Sequence, residues 1–164
     1  MKKQFVIGVM YFGLLSANVL AKAGVGAEDV SKMIQQASAA LLNPSSSGEQ
    51  IQGALIRLLD AAAATLPKSA RVSEVRSNLE AAKADLKGHS LFSEKGHQHL
   101  ALAYRALNSG KDFQFPEIRS IEDAKVYAQK LVAASIAGIE KGPDSPTSRL
   151  LLECVLLVVT PIAR

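Results

Sequence analysis

The chain has 164 residues, a formal net charge of +4 at pH 7 and one cysteine. Its composition is 48% hydrophobic and 5% aromatic, with no Trp, which favours a single helical domain. The single cysteine excludes an intramolecular disulfide and the Cys-x-x-Cys-His attachment of a c-type haem.

Residues 1–23 have the three parts of a secretory signal peptide. Two N-terminal lysines precede an apolar core from Phe5 to Leu15, and Ala21 and Ala23 supply the small residues of a cleavage site. A retained membrane anchor is the alternative, but the apolar run is shorter than the roughly 20 residues that span a bilayer. We therefore expect a secreted or periplasmic protein whose mature domain is 24–164, with no transmembrane helix after cleavage.

Cleavage changes what the charge implies about partners. Lys2, Lys3 and Lys22 leave with the signal, so 16 basic and 15 acidic residues remain. The mature sequence has no Lys/Arg cluster, and a basic patch is the minimum requirement for binding nucleic acid. We predict no nucleic-acid partner.

The spacing of apolar residues predicts three helices in the first half of the chain, at about 28–42, 49–66 and 69–87. The turn-forming cluster 43–48 separates the first two helices, and Pro67 ends the second because the residue before a proline avoids α geometry. Ala61–Ala64 is small on every side, which would let other helices approach closely. Gly88 is the expected C-cap of the third helix.

A fourth helix is predicted to begin after Ser90 or Ser93 and to end near Asn108. The candidate metal ligands near its start are His89, His97 and His99. Two ligands on one helix must be three or four residues apart, whereas His97 and His99 are two apart and point to different sides. Glu94 and His97 form only a weak pair, so we predict surface histidines and no metal site.

The stretch from Lys111 to Gly142 joins an aromatic loop to the clearest amphipathic helix of the sequence. Pro116 prevents a simple helix over 111–119. Ser120 followed by Asp123 resembles a capping box, and Gly142 before a proline ends the helix. We expect the other helices to pack around this one.

Phe113 and Phe115 of the aromatic loop are the candidate partner or ligand residues. We favour an arrangement in which both rings cover one end of the helical core, because ordering a loop requires burial that offsets its lost entropy. In the alternative, one ring is exposed and forms part of a partner or ligand site, since loops often carry function.

The last predicted helix, 147–159, is apolar almost all round, which is typical of a central helix. Strand character over 155–160 is the alternative for this β-branched run. Cys154 lies within it, and we expect it to be buried rather than paired with a second chain.

The sequence contains no Gly-x-Ser-x-Gly elbow and no phosphate-binding glycine loop, so no catalytic residue is predicted. A b-type haem site could use Met33 with a histidine from another helix, but Met commonly just fills gaps in a core. We predict an all-α, up-and-down antiparallel bundle of about five to six helices. Its expected role is non-catalytic binding or scaffolding of a protein or small-molecule partner, without a cofactor. The alternative is a bundle that binds a small ligand, a metal or a b-type haem.

Overall fold

The computed structural model describes residues 27–67, 71–88, 93–142 and 145–159. Within these ranges there are six α-helices and no β-strand. The helices are α1 (Ala27–Leu42), α2 (Gly48–Ala64), α3 (Val72–Gly88), α4 (Glu94–Leu107), α5 (Ile121–Lys141) and α6 (Thr147–Val159). The predicted all-α helical bundle is therefore confirmed. The predicted signal, 1–23, lies outside the described residues.

The start of α2 is fixed by a capping box that the sequence interpretation missed. Ser47 Oγ accepts a hydrogen bond from the Gln50 backbone N–H at 3.2 Å, and Gln50 Oε1 accepts one from the Ser47 N–H at 2.7 Å. Both bonds satisfy backbone donors that a helix start leaves without partners. Helix α2 consequently begins at Gly48, one residue earlier than predicted.

The starts of α4 and α5 agree with predicted caps. Ser93, one of the two candidates, caps α4 by accepting the N–H of Gly96. Ser120 caps α5, and its hydroxyl accepts the Asp123 N–H at 3.1 Å. In a complete capping box the Asp123 carboxylate would accept the backbone N–H of the cap residue, Ser120. It instead accepts the N–H of Arg119, one residue earlier.

The centre of the bundle is formed by α2 and α6, and the expectation that the other helices surround α5 is wrong. Helix α2 packs against α1, α3 and α6, while α6 packs against α2, α4 and α5. Ala61–Ala63 are buried, and their small side chains let neighbouring helices approach α2 on more than one side. Helix α5 packs against α1 and α6 only along part of its length, and Ile121 at its start is 67% exposed.

The central position predicted for the last helix is confirmed. Most of its residues are buried, namely Thr147, Ser148, Leu151, Leu152, Cys154, Val155, Leu156 and Leu157. The chain is helical through Val159, which excludes a strand over 155–159, and Thr160 lies outside the described residues.

Helices α5 and α6 approach each other closely at Gly138. A Cβ atom at this position would overlap Thr147 Oγ1, whose residue is fully buried. Thr147 Oγ1 also lies 2.8 Å from Ser145 Oγ and 3.5 Å from the Ser135 carbonyl oxygen. The glycine is thus required by packing between the two helices.

Among the described residues, Asp60–Lys83 and Tyr104–Glu153 are two of the polar pairs that connect helices. Lys83 Nζ of α3 donates to Asp60 Oδ1 of α2 at 2.6 Å, with both side chains largely buried. Burial raises the pKa of Asp60, and the hydrogen bond from Lys83 opposes that effect. The Tyr104 hydroxyl of α4 donates to Glu153 Oε1 of α6 at 2.8 Å, and burial together with this bond raises the pKa of the phenol.

Candidate ligand-binding groove

A cavity of about 630 Å³ opens between α1, α5, α6 and the loop 111–119. We call it the apolar groove. The described residues that line it are Ser38, Leu41, Leu42, Phe115, Pro116, Ile118, Ile121, Ala124, Lys125, Ala128, Val132, Cys154, Leu157 and Val158. Its volume lies within the roughly 300–1,000 Å³ that is typical of small-molecule sites.

The side chains that line the apolar groove are mostly hydrocarbon. Among the lining residues that the structure describes, Ser38 and Lys125 are the only ones with a hydroxyl or a charge, and none is an acid. Lys125 Nζ lies 3.6 Å from Glu122 Oε1, whose side chain is 81% exposed. Because the Glu122 side chain is exposed and the contact is long, the pair contributes little stability and does not commit the ammonium group to one partner.

One end of the apolar groove is open and the other reaches the core. On α5, Ile121 is 67% exposed, whereas Ala128 and Val132 are buried, Val132 being 8% exposed. On α6, Val158 is exposed and Cys154 is buried. A molecule that enters beside Ile121 and Val158 would therefore move inward along α5 and α6.

Large exposed hydrophobic side chains concentrate at the open end. Of the five described residues of this kind, Phe115, Ile121 and Val158 line the apolar groove, while Leu102 and Val126 do not. Contiguous exposed apolar surface often marks a binding site, whereas single exposed apolar residues are common.

The two candidate phenylalanines occupy different environments. Phe113 is partly buried, and its ring lies edge to face against the ring of Tyr104, with centroids 5.5 Å apart. Phe115 is 50% exposed and lines the apolar groove. The inward arrangement that the sequence favoured thus holds for Phe113 and is wrong for Phe115.

The loop that carries these rings is held at its start by polar contacts. Arg105 Nε of α4 lies 2.8 Å from Asp112 Oδ1, and Ser109 and Gly110 adopt positive φ angles of 54° and 80° that turn the chain out of α4. The Arg119 guanidinium contacts Glu117 Oε1 at 2.7 Å at the other end of the loop.

Cys154 is buried, as predicted, and forms part of the groove wall. Burial raises the pKa of its thiol from 9.0 to about 12. Because the thiolate is the reactive form, this environment makes the thiol a weak nucleophile at neutral pH.

Of the other candidate ligands, Met33, His97 and His99 do not line the apolar groove. His99 Nδ1 is 2.9 Å from Asn78 Oδ1 and joins α4 to α3, while His89 lies outside the described residues. Met33 packs against the core from α1, and α1 contacts mainly α2 and α5. His97 and His99 lie on α4, which contacts mainly α3 and α6. The Met and His residues of the haem alternative are therefore on helices that pack against different neighbours. In the part of the chain that the structure describes, no three His, Cys, Asp or Glu residues are grouped so that they could hold a metal ion.

Most of the groove residues were expected to lie in the core. The sequence places Leu41, Ile121, Ala124, Ala128 and Val132 on the apolar faces of α1 and α5, and periodicity alone does not separate a covered face from an open one. A usable indication was the breadth of the α5 face, which is wider than one neighbouring helix covers.

None of the described helices is long and apolar enough to cross a membrane. No protein family, curated protein or solved structure matches the chain. Its function is therefore inferred from the geometry and chemistry of the apolar groove.

Proposed function

We propose that this protein is an exported, non-catalytic binding protein and that the apolar groove is its binding site. The observation that carries the proposal is a groove of about 630 Å³ with a mostly apolar lining and one open end. Binding sites for small molecules are typically concave and mostly apolar, with few polar groups.

The exposed side chains at the open end support a ligand rather than a purely structural role. Phe115 and Ile121 together place an aromatic ring and an aliphatic side chain in water, and apolar surface that remains exposed is stabilised when another apolar molecule covers it. A ligand in the apolar groove would gain this free energy without unfolding any helix.

A non-catalytic role is supported by the chemistry of the lining. General acid–base catalysis requires a positioned proton donor or acceptor whose pKa lies near the working pH. Among the described lining residues, Lys125 is the only charged side chain, and the Cys154 thiol has its pKa raised to about 12. These groups suit binding better than bond cleavage.

Export is supported by the signal-like pattern of residues 1–23. The test is N-terminal sequencing of protein recovered outside the cytoplasm, which should begin at Gly24. A chain that begins at Met1 would contradict the export part of the proposal and leave the binding part unaffected.

The binding site is tested by titrating the protein with the uncharged fluorescent probe N-phenyl-1-naphthylamine. We expect saturable binding that Ala128→Leu weakens by about tenfold or more, because the larger side chain fills the inner groove. Ala134→Leu adds the same atoms to an exposed position of α5 and should leave the affinity unchanged.

The proposed site is wrong if Ala128→Leu keeps the wild-type affinity while retaining a cooperative melting transition. If Ala128→Leu fails to fold, Ala124→Leu tests the same groove nearer its open end, where the position is only partly buried.

A further inference from the structure

We infer that the ligand of the apolar groove is a fatty acid, a single acyl chain that ends in a carboxylate. This inference rests on the proposed binding function and adds the chemical class of the ligand. It combines the length of the groove, the position of its one charged lining residue and the charges around its open end.

The length of the apolar groove matches an acyl chain. Ile121, Ala124, Ala128 and Val132 line it at spacings of three and four residues, so they form one stripe along α5. With a rise of 1.5 Å per residue, the stripe is about 16 Å long. The acyl chains of one bilayer leaflet cover about 15 Å, half of the roughly 30 Å hydrocarbon core. An extended acyl chain would thus contact the groove wall from the open end to the core.

Lys125 lies where the carboxylate of such a molecule would be placed. Its Cα follows the exposed Ile121 by about one helical turn, but helical side chains lean toward the N-terminus, and its Nζ contacts Glu122 beside Ile121. The α5 residues that line the groove further inward, Ala128 and Val132, carry no charge. The Lys125 side chain is about two-thirds buried, so its attraction to an anion is less screened than at an open surface. Its contact with the exposed Glu122 is an ion pair that a carboxylate can replace.

The surrounding charges favour a small, singly charged head group over a phosphate. Glu117, Glu122 and Asp123 lie near the open end, and Arg119 contacts two of them, through its guanidinium to Glu117 and its backbone N–H to Asp123. A head group with two negative charges would be repelled by these acids and would find one lysine in the described lining. A single carboxylate replaces Glu122 as the partner of Lys125 and adds only one negative charge to this end, whereas a phosphate adds two.

The experiment measures how well dodecanoic acid and dodecanol displace N-phenyl-1-naphthylamine from the full chain. These two molecules share one alkyl chain length and differ in the charge of the head group. We expect the wild type to bind the acid about tenfold more tightly than the alcohol, as hydrogen bonds to charged groups imply. Lys125→Met should remove this difference by weakening the binding of the acid, while Lys125→Arg should preserve the difference.

Lys130→Met is the matched control, because Lys130 is an exposed lysine of the same helix and does not line the apolar groove. It should retain the preference for the acid. A series of longer acids should gain affinity with each methylene until the chain exceeds about 16 Å and then level off.

The outcomes separate the two proposals. Equal affinities for acid and alcohol in the wild type, or a preference for the acid that survives Lys125→Met, overturn the fatty-acid inference and leave the binding site in place. Binding that a folded Ala128→Leu variant does not weaken, or that Ala124→Leu does not weaken where Ala128→Leu fails to fold, overturns both, because the ligand then lies elsewhere.

Discussion

The ring of Phe113 contacts the ring of Phe115 edge to face, with centroids 4.6 Å apart and an interplanar angle of 68°. Phe113 also contacts Tyr104, whose hydroxyl donates to Glu153 of α6. Phe115, by contrast, is half exposed in the wall of the apolar groove. These contacts connect the groove wall to the core, so the position of Phe115 is set by residues that a ligand need not touch.

The two phenylalanines should therefore differ in what their removal changes. Phe113→Ala should lower the free energy of unfolding by about 2 kcal/mol, less than for a fully buried ring because Phe113 is only partly buried. Phe115→Ala should lower it by less than about 1 kcal/mol but weaken probe binding, since it removes a groove wall. Urea denaturation and probe titration measure the two effects. A larger loss of stability for Phe115→Ala than for Phe113→Ala would contradict the finding that Phe113 is the more buried of the two rings.

Glycine substitutions test the close approach of α5 and α6. Gly138→Ala should destabilise the fold by about 1–3 kcal/mol, because the new Cβ atom overlaps the buried Thr147 Oγ1. Gly53→Ala in α2 is the control, since nothing lies within 4 Å of its Cβ position, and it should stabilise the helix by about 0.5–1 kcal/mol. Thermal melting of both variants measures these changes in stability. A Gly138→Ala variant as stable as the wild type would contradict the tight packing at this point.

Removing only one partner of the Asp60–Lys83 pair should lower the free energy of unfolding. Lys83→Met leaves the Asp60 carboxylate buried without its partner, and we expect the free energy of unfolding to fall by about 3 kcal/mol. Asp60→Leu combined with Lys83→Met should recover most of this loss, because no unpaired charge then remains. Chemical denaturation of the single and double variants gives the comparison, and a double variant less stable than Lys83→Met alone would refute the expectation.

Stability should decline at alkaline pH because of Cys154. Its folded pKa of about 12 exceeds its ordinary value of 9.0, so the unfolded chain releases the proton first. The contribution of the protonated thiol to the free energy of unfolding is fully present below about pH 9 and is lost as the pH rises towards 12. Between pH 8 and pH 10 the thiol should account for about 1.4 kcal/mol of lost stability.

Urea denaturation at pH 8 and pH 10 measures this loss, and Cys154→Ala supplies the control. The pH-dependent loss should be smaller in Cys154→Ala by the contribution of the thiol, and the remaining loss includes Tyr104, whose pKa is also raised. Identical losses in both proteins would show that the thiol ionises equally in the folded and unfolded chains.

Local features of the fold were predictable from the sequence, whereas the packing partners of each helix were not. The caps at Ser93 and Ser120, the burial of Cys154 and the central α6 follow from short-range patterns. The groove and the peripheral position of α5 depend on which helix covers which apolar face, and helical periodicity contains no information about that partner. The same pattern that buries Ala128 leaves Ile121 exposed, because α1 and α6 do not cover the first turn of α5.

The most direct measurement is methyl NMR of protein with labelled alanine side chains, titrated with dodecanoic acid. Ala124 and Ala128 line the apolar groove, whereas Ala62 and Ala103 are buried in other helices and do not line it. We predict saturable shifts of the Ala124 and Ala128 signals with the Ala62 and Ala103 signals unchanged. Shifts spread equally over all four methyl groups, or no saturable shift of Ala124 and Ala128, would contradict the apolar groove as the binding site.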